Sequence, residues 1–348
     1  MKRPFFNRDR DRDEDRKRQE DPPRHEEDEL SVPPPVDPGA ETVADHLDPP
    51  RPAPQPAPAP APAPRRKHEL PAAPTMGRIA SNWRRRLADT TWPRPGVAAD
   101  GGELGGFQVL AASVAGQKHL HEGSQRQDAY YFATLGDDGV VLAVADGVSS
   151  HPLAGIGADI AVFAAVRGYL KATWSAAGDG DTIPERLVAA VDRGEDAIFE
   201  AANQMRIEPR ELSTTLLLVD LRHGNDGSVA VTTAGVGNSS ALALAPGSPP
   251  AVIGGPPEGG APAQYHQFLP GDPGRAQVDH ARLPAGAALV LATDGFADDL
   301  HASPAVGDWL WDRIGAAGSP IEFAHVLSYR RQGTNDDLTA VVAMPLVR

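Results

Sequence analysis

Four short acidic clusters carry the residue types most able to do chemistry. They are Gln127-Asp128-Ala129, Val144-Ala145-Asp146-Gly147, Ala292-Thr293-Asp294-Gly295 and Asn335-Asp336-Asp337-Leu338-Thr339. In two of them a run of apolar residues leads straight into Asp-Gly. An Asp at the end of a buried strand can aim its carboxylate into a cleft, while the glycine lets the backbone turn and present its carbonyl. Carboxylates and a carbonyl, completed by water, suit hard octahedral cations such as Mg²⁺ or Mn²⁺. A lone Asp-Gly is more often a simple β-turn. Four acidic clusters, each beside an apolar strand, point instead to one shared site.

The elements that must position them are legible as hydrophobic periodicity. Phe107–Ser113, Ala129–Leu135 and Val140–Ala145 read as strands, as do Leu212–Leu221, Val229–Ala234, Ala241–Ala245, Ala287–Ala292 and Leu338–Pro345. Helical spacing of Ile156, Ile160, Phe163, Val166 and Leu170 predicts a helix over Leu153–Leu170. A second follows Pro184 to about Met205, and two more are expected over 303–316 and 320–331. Strands in groups with helices inserted in pairs read as α+β rather than as alternating βαβ units.

Composition divides the 348 residues unevenly. Residues 1–100 hold 20 of the 35 prolines and balance 18 Lys+Arg against 18 Asp+Glu. The net charge of −14 therefore falls on the remainder. An acidic body lacks the basic face that a nucleic-acid enzyme needs. The absence of cysteine excludes disulfides, thiolate zinc sites and a cysteine nucleophile. There is no apolar run long enough to span a bilayer and no apolar signal-peptide core, so a cytoplasmic location is expected. Residues 1–76 read as a disordered tail, first of mixed charge, then proline-rich with a Pro-Ala alternation that favours an extended spacer. Residues 77–103 read as a linker. Within it Ile79, Trp83 and Leu87, flanked by Arg84, Arg85 and Arg86, have the pattern of a short basic amphipathic helix. That helix could meet an anionic membrane through residues 77–87, or dock on the acidic body. Residues 104–348 form the expected catalytic domain.

The ordered series Gln127-Asp128-Ala129, Asp146-Gly147-Val-Ser-Ser-His151, Ser213-Thr214-Thr215, Gly235-Val-Gly237-Asn238-Ser239, Thr293-Asp294-Gly295 and Asp336-Asp337-Leu-Thr339 resembles the metal-dependent type 2C Ser/Thr protein phosphatases. It is most similar to the bacterial branch with a Gly-x-x-His segment, here Gly116-Gln-Lys-His119. The resemblance spans roughly residues 107–346. It implies two antiparallel β-sheets packed as a sandwich with helices on both outer faces. It also implies two Mn²⁺ or Mg²⁺ ions activating water, with Asp146 bridging them and the Gly147 carbonyl on one. Asp294 and Asp336 would ligate the other, and Asp128 would hold water. His151 matches a histidine that could serve as general acid. The implied partners are a phosphorylated protein and an opposing Ser/Thr kinase.

Four positions depart from the family pattern. The arginine that usually grips phosphate, five residues before Asp128, is Gly123; His119, Lys118 and Arg126 are candidates to replace it. Asn238 stands where a carboxylate is usual, which should weaken a third metal site. Ser149 and Ser150 replace two glycines. These departures keep a second reading open: a non-catalytic phosphatase-like domain that binds a phosphorylated partner or scaffolds a signalling complex.

Overall fold

A computed structural model describes residues 75–78, 94–175, 181–255, 267–271, 276–302, 304–314 and 316–346. The expected tail through residue 74 and the helix around Trp83 lie outside the described residues. In chain order the elements are β1 (Thr75–Met76), β2 (Val97–Leu104), β3 (Phe107–Val114), α1 (Gln117–Glu122), β4 (Ala129–Thr134), β5 (Gly139–Ala145), α2 (Ala154–Ser175) and α3 (Ile183–Met205). They continue with β6 (Leu216–His223), β7 (Val229–Val236), β8 (Ser240–Leu244), β9 (Ala251–Gly254), β10 (Gln277–Leu283) and β11 (Ala288–Ala292). Last come α4 (Asp294–Ala302), α5 (Pro304–Ile314), α6 (Pro320–Val326), β12 (Arg330–Arg331) and β13 (Leu338–Pro345).

A five-stranded sheet runs β10-β7-β6-β5-β4 and a six-stranded sheet runs β2-β3-β13-β11-β8-β9. Every pairing within them is antiparallel. Strand alternation makes the layers. Val140, Leu142 and Val144 of β5 enter a core shared with Val109 of β3, Leu289 and Leu291 of β11 and Val341 of β13. The intervening Val141, Ala143 and Ala145 pack with Ala158, Ala161 and Val162 of α2 and Leu187 and Ile198 of α3. On β13, Ala340 and Val342 likewise face Phe296, Leu310 and Phe323 of α4, α5 and α6. Strands buried on both faces read as apolar runs because both layers demand it. The result is the expected sandwich with helices outside each sheet.

The α3 start shows why the sequence folds there. Thr182 and Glu185 form a capping box, with Pro184 in the first turn. Elsewhere the structure differs from the sequence reading. The sheet begins before residue 104: β2 pairs with all of β3, from Val97 opposite Val114 to Leu104 opposite Phe107. The segment expected as one strand from Leu212 opens with a single 3₁₀ turn, Pro209–Leu212. The helix expected over 320–331 stops at Val326, and Arg330–Arg331 pairs in parallel with Thr75–Met76.

Candidate metal centre

Register gathers the acids at one end of the sandwich. In the five-stranded sheet Ala129 lies opposite Ala145, which places Asp128 and Asp146 side by side just beyond the ladder. In the six-stranded sheet Ala292 lies opposite Ala340, so Asp294 and Asp336 leave at the matching end. Each sheet thus delivers two carboxylates. Asp294 does more than end a strand: it opens α4, with the amides of Phe296 and Ala297 bonding back to the Thr293 carbonyl at 3.2 and 2.9 Å.

Conserving geometry falls to hydroxyls and one amide. The Asp146 N–H donates to Thr215 Oγ1 at 2.9 Å, and Thr214 Oγ1 donates to the Asp146 carbonyl at 2.9 Å. Thr293 Oγ1 donates to Asp128 Oδ2 at 2.7 Å. Asn238 Nδ2 donates to Asp294 Oδ2 at 2.6 Å, which turns a hydrogen-bond donor, not an oxygen, toward that carboxylate. Gly147 is buried and bridges Thr214.

The cluster is electrostatically strained. Burial, then the charges of Asp128, Asp294 and Asp336, hold the Asp146 carboxyl well above its ordinary range. Burial and the Asp337 charge push Asp128 up to about 7 against the pull of Thr339 and Thr293. Burial, Asp336 and Asp298 push Asp294 up to about 6, opposed by the Gly295 N–H and by Asn238. Carboxylates crowded together in this way are relieved by a proton or a cation. An all-oxygen donor set under such repulsion fits a hard divalent cation.

Asp337 behaves differently, although it follows Asp336 directly. Its Oδ1 accepts from the Gly116 N–H at 2.7 Å and pairs with His119 Nδ1 at 2.9 Å. Its Oδ2 accepts from the Gln127 and Asp128 N–H groups at 2.6 and 3.3 Å. Burial would raise Asp337, but the His119 bond and charge and these amides bring it below the usual carboxylate range. Burial would lower His119, and the Asp337 bond and charge outweigh it, so its pKa rises. His119, Asp336 and Asp337 each offer a ligand atom within 4.8 Å of the others. Of these, His119 and Asp337 are already engaged with one another, which leaves Asp336 facing out. Gly116 earns its place here, since a Cβ would overlap the backbone of Asn335 and Asp336.

The remaining expected residues are placed as follows. His119 is buried and lines a cavity of about 360 Å³ with Lys118, Gly123, Gln127, Ser149 and Ser150, a cavity that Asp128, Asp146, Asp294 and Asp336 do not line. Arg126 lines it too, yet its guanidinium donates to the Pro95 carbonyl at 3.1 Å, to Ser113 Oγ at 2.8 Å and to the Asp128 carbonyl. It braces the Asp128 segment. His151 is half-buried, and its carbonyl accepts from Gln127 Nε2 at 3.2 Å. Sequence reading missed the anchoring role of Asp337, whose only sequence signal is its position one residue before the buried strand. It also missed Arg94, which donates to the same Asp128 carbonyl at 3.0 Å.

Among the described residues no helix is long and apolar enough to cross a membrane. No curated protein matches the chain. Among solved structures, similarity extends to RsbX in complex with magnesium at 17% identity, covering 71% of this chain and 98% of that one with a TM-score of 0.43. The PPM Ser-Thr phosphatase MsPP from Mycobacterium smegmatis, in complex with cacodylate, is similar at 16% identity, 72% and 97% coverage and a TM-score of 0.42. Serine/threonine phosphatase Stp1 from Staphylococcus aureus is similar at 14% identity, 78% and 99% coverage and a TM-score of 0.40. The family profile described as Protein phosphatase 2C matches residues 115–327, more than half of the chain and inclusive of Asp128, Asp146 and Asp294. With that match joined to two antiparallel sheets converging on an acidic centre, the chain belongs to the protein phosphatase 2C family.

Proposed function

We propose that this chain is a metal-dependent phosphatase that hydrolyses phosphoserine and phosphothreonine in proteins. The observation that carries the reading is the register of the two sheets, which brings Asp128 and Asp146 to one end of the sandwich beside Asp294 and Asp336. There burial and mutual repulsion hold the Asp128, Asp146 and Asp294 carboxyls above the ordinary range. Asp146, the Gly147 carbonyl, Asp294 and Asp336 would hold two Mn²⁺ or Mg²⁺ ions. Bound there, such ions supply the positive charge that draws a phosphate dianion and lower the pKa of water held between them. The chain's own residues do the positioning. Thr214 and Thr215 fix the backbone of Asp146, Thr293 turns Asp128, and Asn238 turns Asp294. Asp128 would accept a hydrogen bond from the water that the ions supply, and no covalent enzyme intermediate would be required. Because Asn238 presents a donor, a third cation is disfavoured at that position.

For the phosphate grip, His119 is better placed than Arg126. It lines the cavity that Gly123 leaves open, and its pairing with Asp337 favours the charged ring. His151 remains the candidate general acid. The substrate would be a phosphorylated protein and the opposing enzyme a Ser/Thr kinase, in the cytoplasm. A second reading, a phosphatase-like domain that binds a phosphorylated partner without hydrolysis, is favoured by the commitment of the Arg126 guanidinium to carbonyls.

Hydrolysis of an aryl phosphate and a phosphothreonine peptide by the full chain, with and without Mn²⁺, separates the two. Turnover that requires both Mn²⁺ and Asp146, tested with Asp146→Ala, supports the phosphatase. A folded wild type that binds phosphopeptide and releases no phosphate supports the binding module.

A further inference from the structure

Arg94 lies just ahead of β2, in a stretch whose composition reads as linker, yet its side chain is only 7% exposed. Its backbone N–H donates to Gln125 Oε1 at 2.6 Å. Its Nη1 donates to the Arg126 carbonyl, and its Nη2 to the Asp128 carbonyl at 3.0 Å. The other edge of the guanidinium grips Asp159 of α2, Nε to Oδ2 at 2.9 Å and Nη2 to Oδ1 at 2.6 Å. One planar group therefore joins the segment that carries Asp128 to the helix that follows the Asp146 loop. Arginine suits this because its donors form a rigid fork.

Two further observations separate this contact from an incidental surface pair. Asp159 is 55% exposed, so the ion pair alone contributes little stability. What the contact supplies is placement. Gly155, in the first turn of α2, has no room for a side chain: a Cβ would collide with Arg94 Nη1 and lie 3.0 Å from the Arg126 carbonyl. Glycine in a helix costs up to about 1 kcal/mol relative to alanine. Here it opens the seat for the guanidinium.

We propose that Arg94 is a positioning residue for the metal-binding carboxylates: it clips the Asp128 segment to α2 and thereby sets the spacing of Asp128 and Asp146, so the chain ahead of the sheet is part of the working site. The inference rests on the reading of Asp146 as a metal ligand, and its test reads metal binding directly.

The experiment is calorimetric titration of the full chain with Mn²⁺, for wild type, Arg94→Ala, Arg94→Lys, Gly155→Ala and the double variant Arg94→Ala/Gly155→Ala, with melting temperature and Mn²⁺-dependent turnover alongside. Arg94→Ala is expected to weaken Mn²⁺ binding about tenfold, the scale for groups that orient ligands. Arg94→Lys should fall between, because one ammonium cannot serve Asp159 and two carbonyls together. Gly155→Ala should reproduce the Arg94→Ala loss although alanine favours the helix, and the double variant should be no worse than either single one. Unchanged Mn²⁺ affinity in Arg94→Ala overturns the proposal, whether or not its melting temperature falls. Additive losses in the double variant overturn it as well. A wild type that binds Mn²⁺ and hydrolyses nothing refutes the phosphatase reading while Arg94 is still judged on affinity. A wild type that binds no Mn²⁺ overturns both.

Discussion

Asp337 and Asp128 are both buried, both at the same end of the sandwich, and joined through the Asp128 backbone amide. They nevertheless stand on opposite sides of ordinary carboxylate behaviour. Asp337 collects three backbone N–H groups and an imidazole and is held low. Asp128 has hydroxyl partners in Thr293 and Thr339, and its neighbours include Asp337, Asp336 and Asp146, so it is held high. Asp299, like Asp337, is surrounded by donors. Fully buried, it accepts from Tyr329 Oη at 2.7 Å, from Thr334 Oγ1 at 2.5 Å and from the Arg331 guanidinium. In doing so it ties α4, which carries Asp294, to the loop that leads into Asp336. A buried carboxylate given several donors is held in its charged form, whereas one crowded by like charge with fewer donors is not.

That contrast can be broken by experiment. Asp146→Asn should abolish Mn²⁺-dependent phosphopeptide turnover by orders of magnitude while raising the melting temperature of the metal-free chain, because one repelling charge is gone. A variant that loses stability would place Asp146 with the structural acids. Asp337→Ala should destabilise by about 3–5 kcal/mol in urea denaturation, and the loss should be similar with and without Mn²⁺. It leaves His119 Nδ1 and the buried N–H groups of Gly116, Gln127 and Asp128 without their acceptor, at about 1–3 kcal/mol for each unmet group. Asp299→Ala should cost about 1–3 kcal/mol by leaving the Tyr329 and Thr334 hydroxyls without their partner. It should also loosen Mn²⁺ binding, since it frees the loop before Asp336.

The smallest effect expected is one of pH on the metal-free chain. Asp128 and Asp294 carry folded-state values of about 7 and about 6, against about 4 when unfolded. Between pH 4 and 7 the folded state therefore holds more protons than the unfolded state. Linkage then makes stability fall as pH rises through that window. Melting curves at pH 5.5 and 8 should show the metal-free chain less stable at the higher pH, by on the order of 5 °C, and Mn²⁺ should close or reverse the gap. A flat profile without metal would mean that the four acids are not crowded.

Much of this arrangement was legible in the sequence because burial on both faces writes long apolar runs. β5, β6, β11 and β13 announce themselves in this way, and the acids at their ends follow. Two strands at the margin do not. β2 reads VAADGGEL and β10 reads QVDHARL, and each pairs on one side only. Their backbone hydrogen bonds, rather than their side chains, define them. The boundary drawn at residue 104 therefore cut off an entire strand, and truncation after residue 100 would remove Arg94 with half of β2. Nor could spacing distinguish Asp336 from Asp337, or show that the Arg126 guanidinium turns to carbonyls. Those are questions of side-chain direction, settled by packing across segments far apart in the chain.

The composition that hid β2 has a further consequence. An edge strand offers a row of unpaired backbone groups to any passing chain, and a flat apolar edge invites aggregation. In β2 the sequence Asp100-Gly101-Gly102-Glu103 lies midway along that margin. Two carboxylates repel an incoming strand and two glycines deprive it of side chains to pack against. The residues that made β2 unreadable as a strand are the same ones that make its free edge a poor template for another strand.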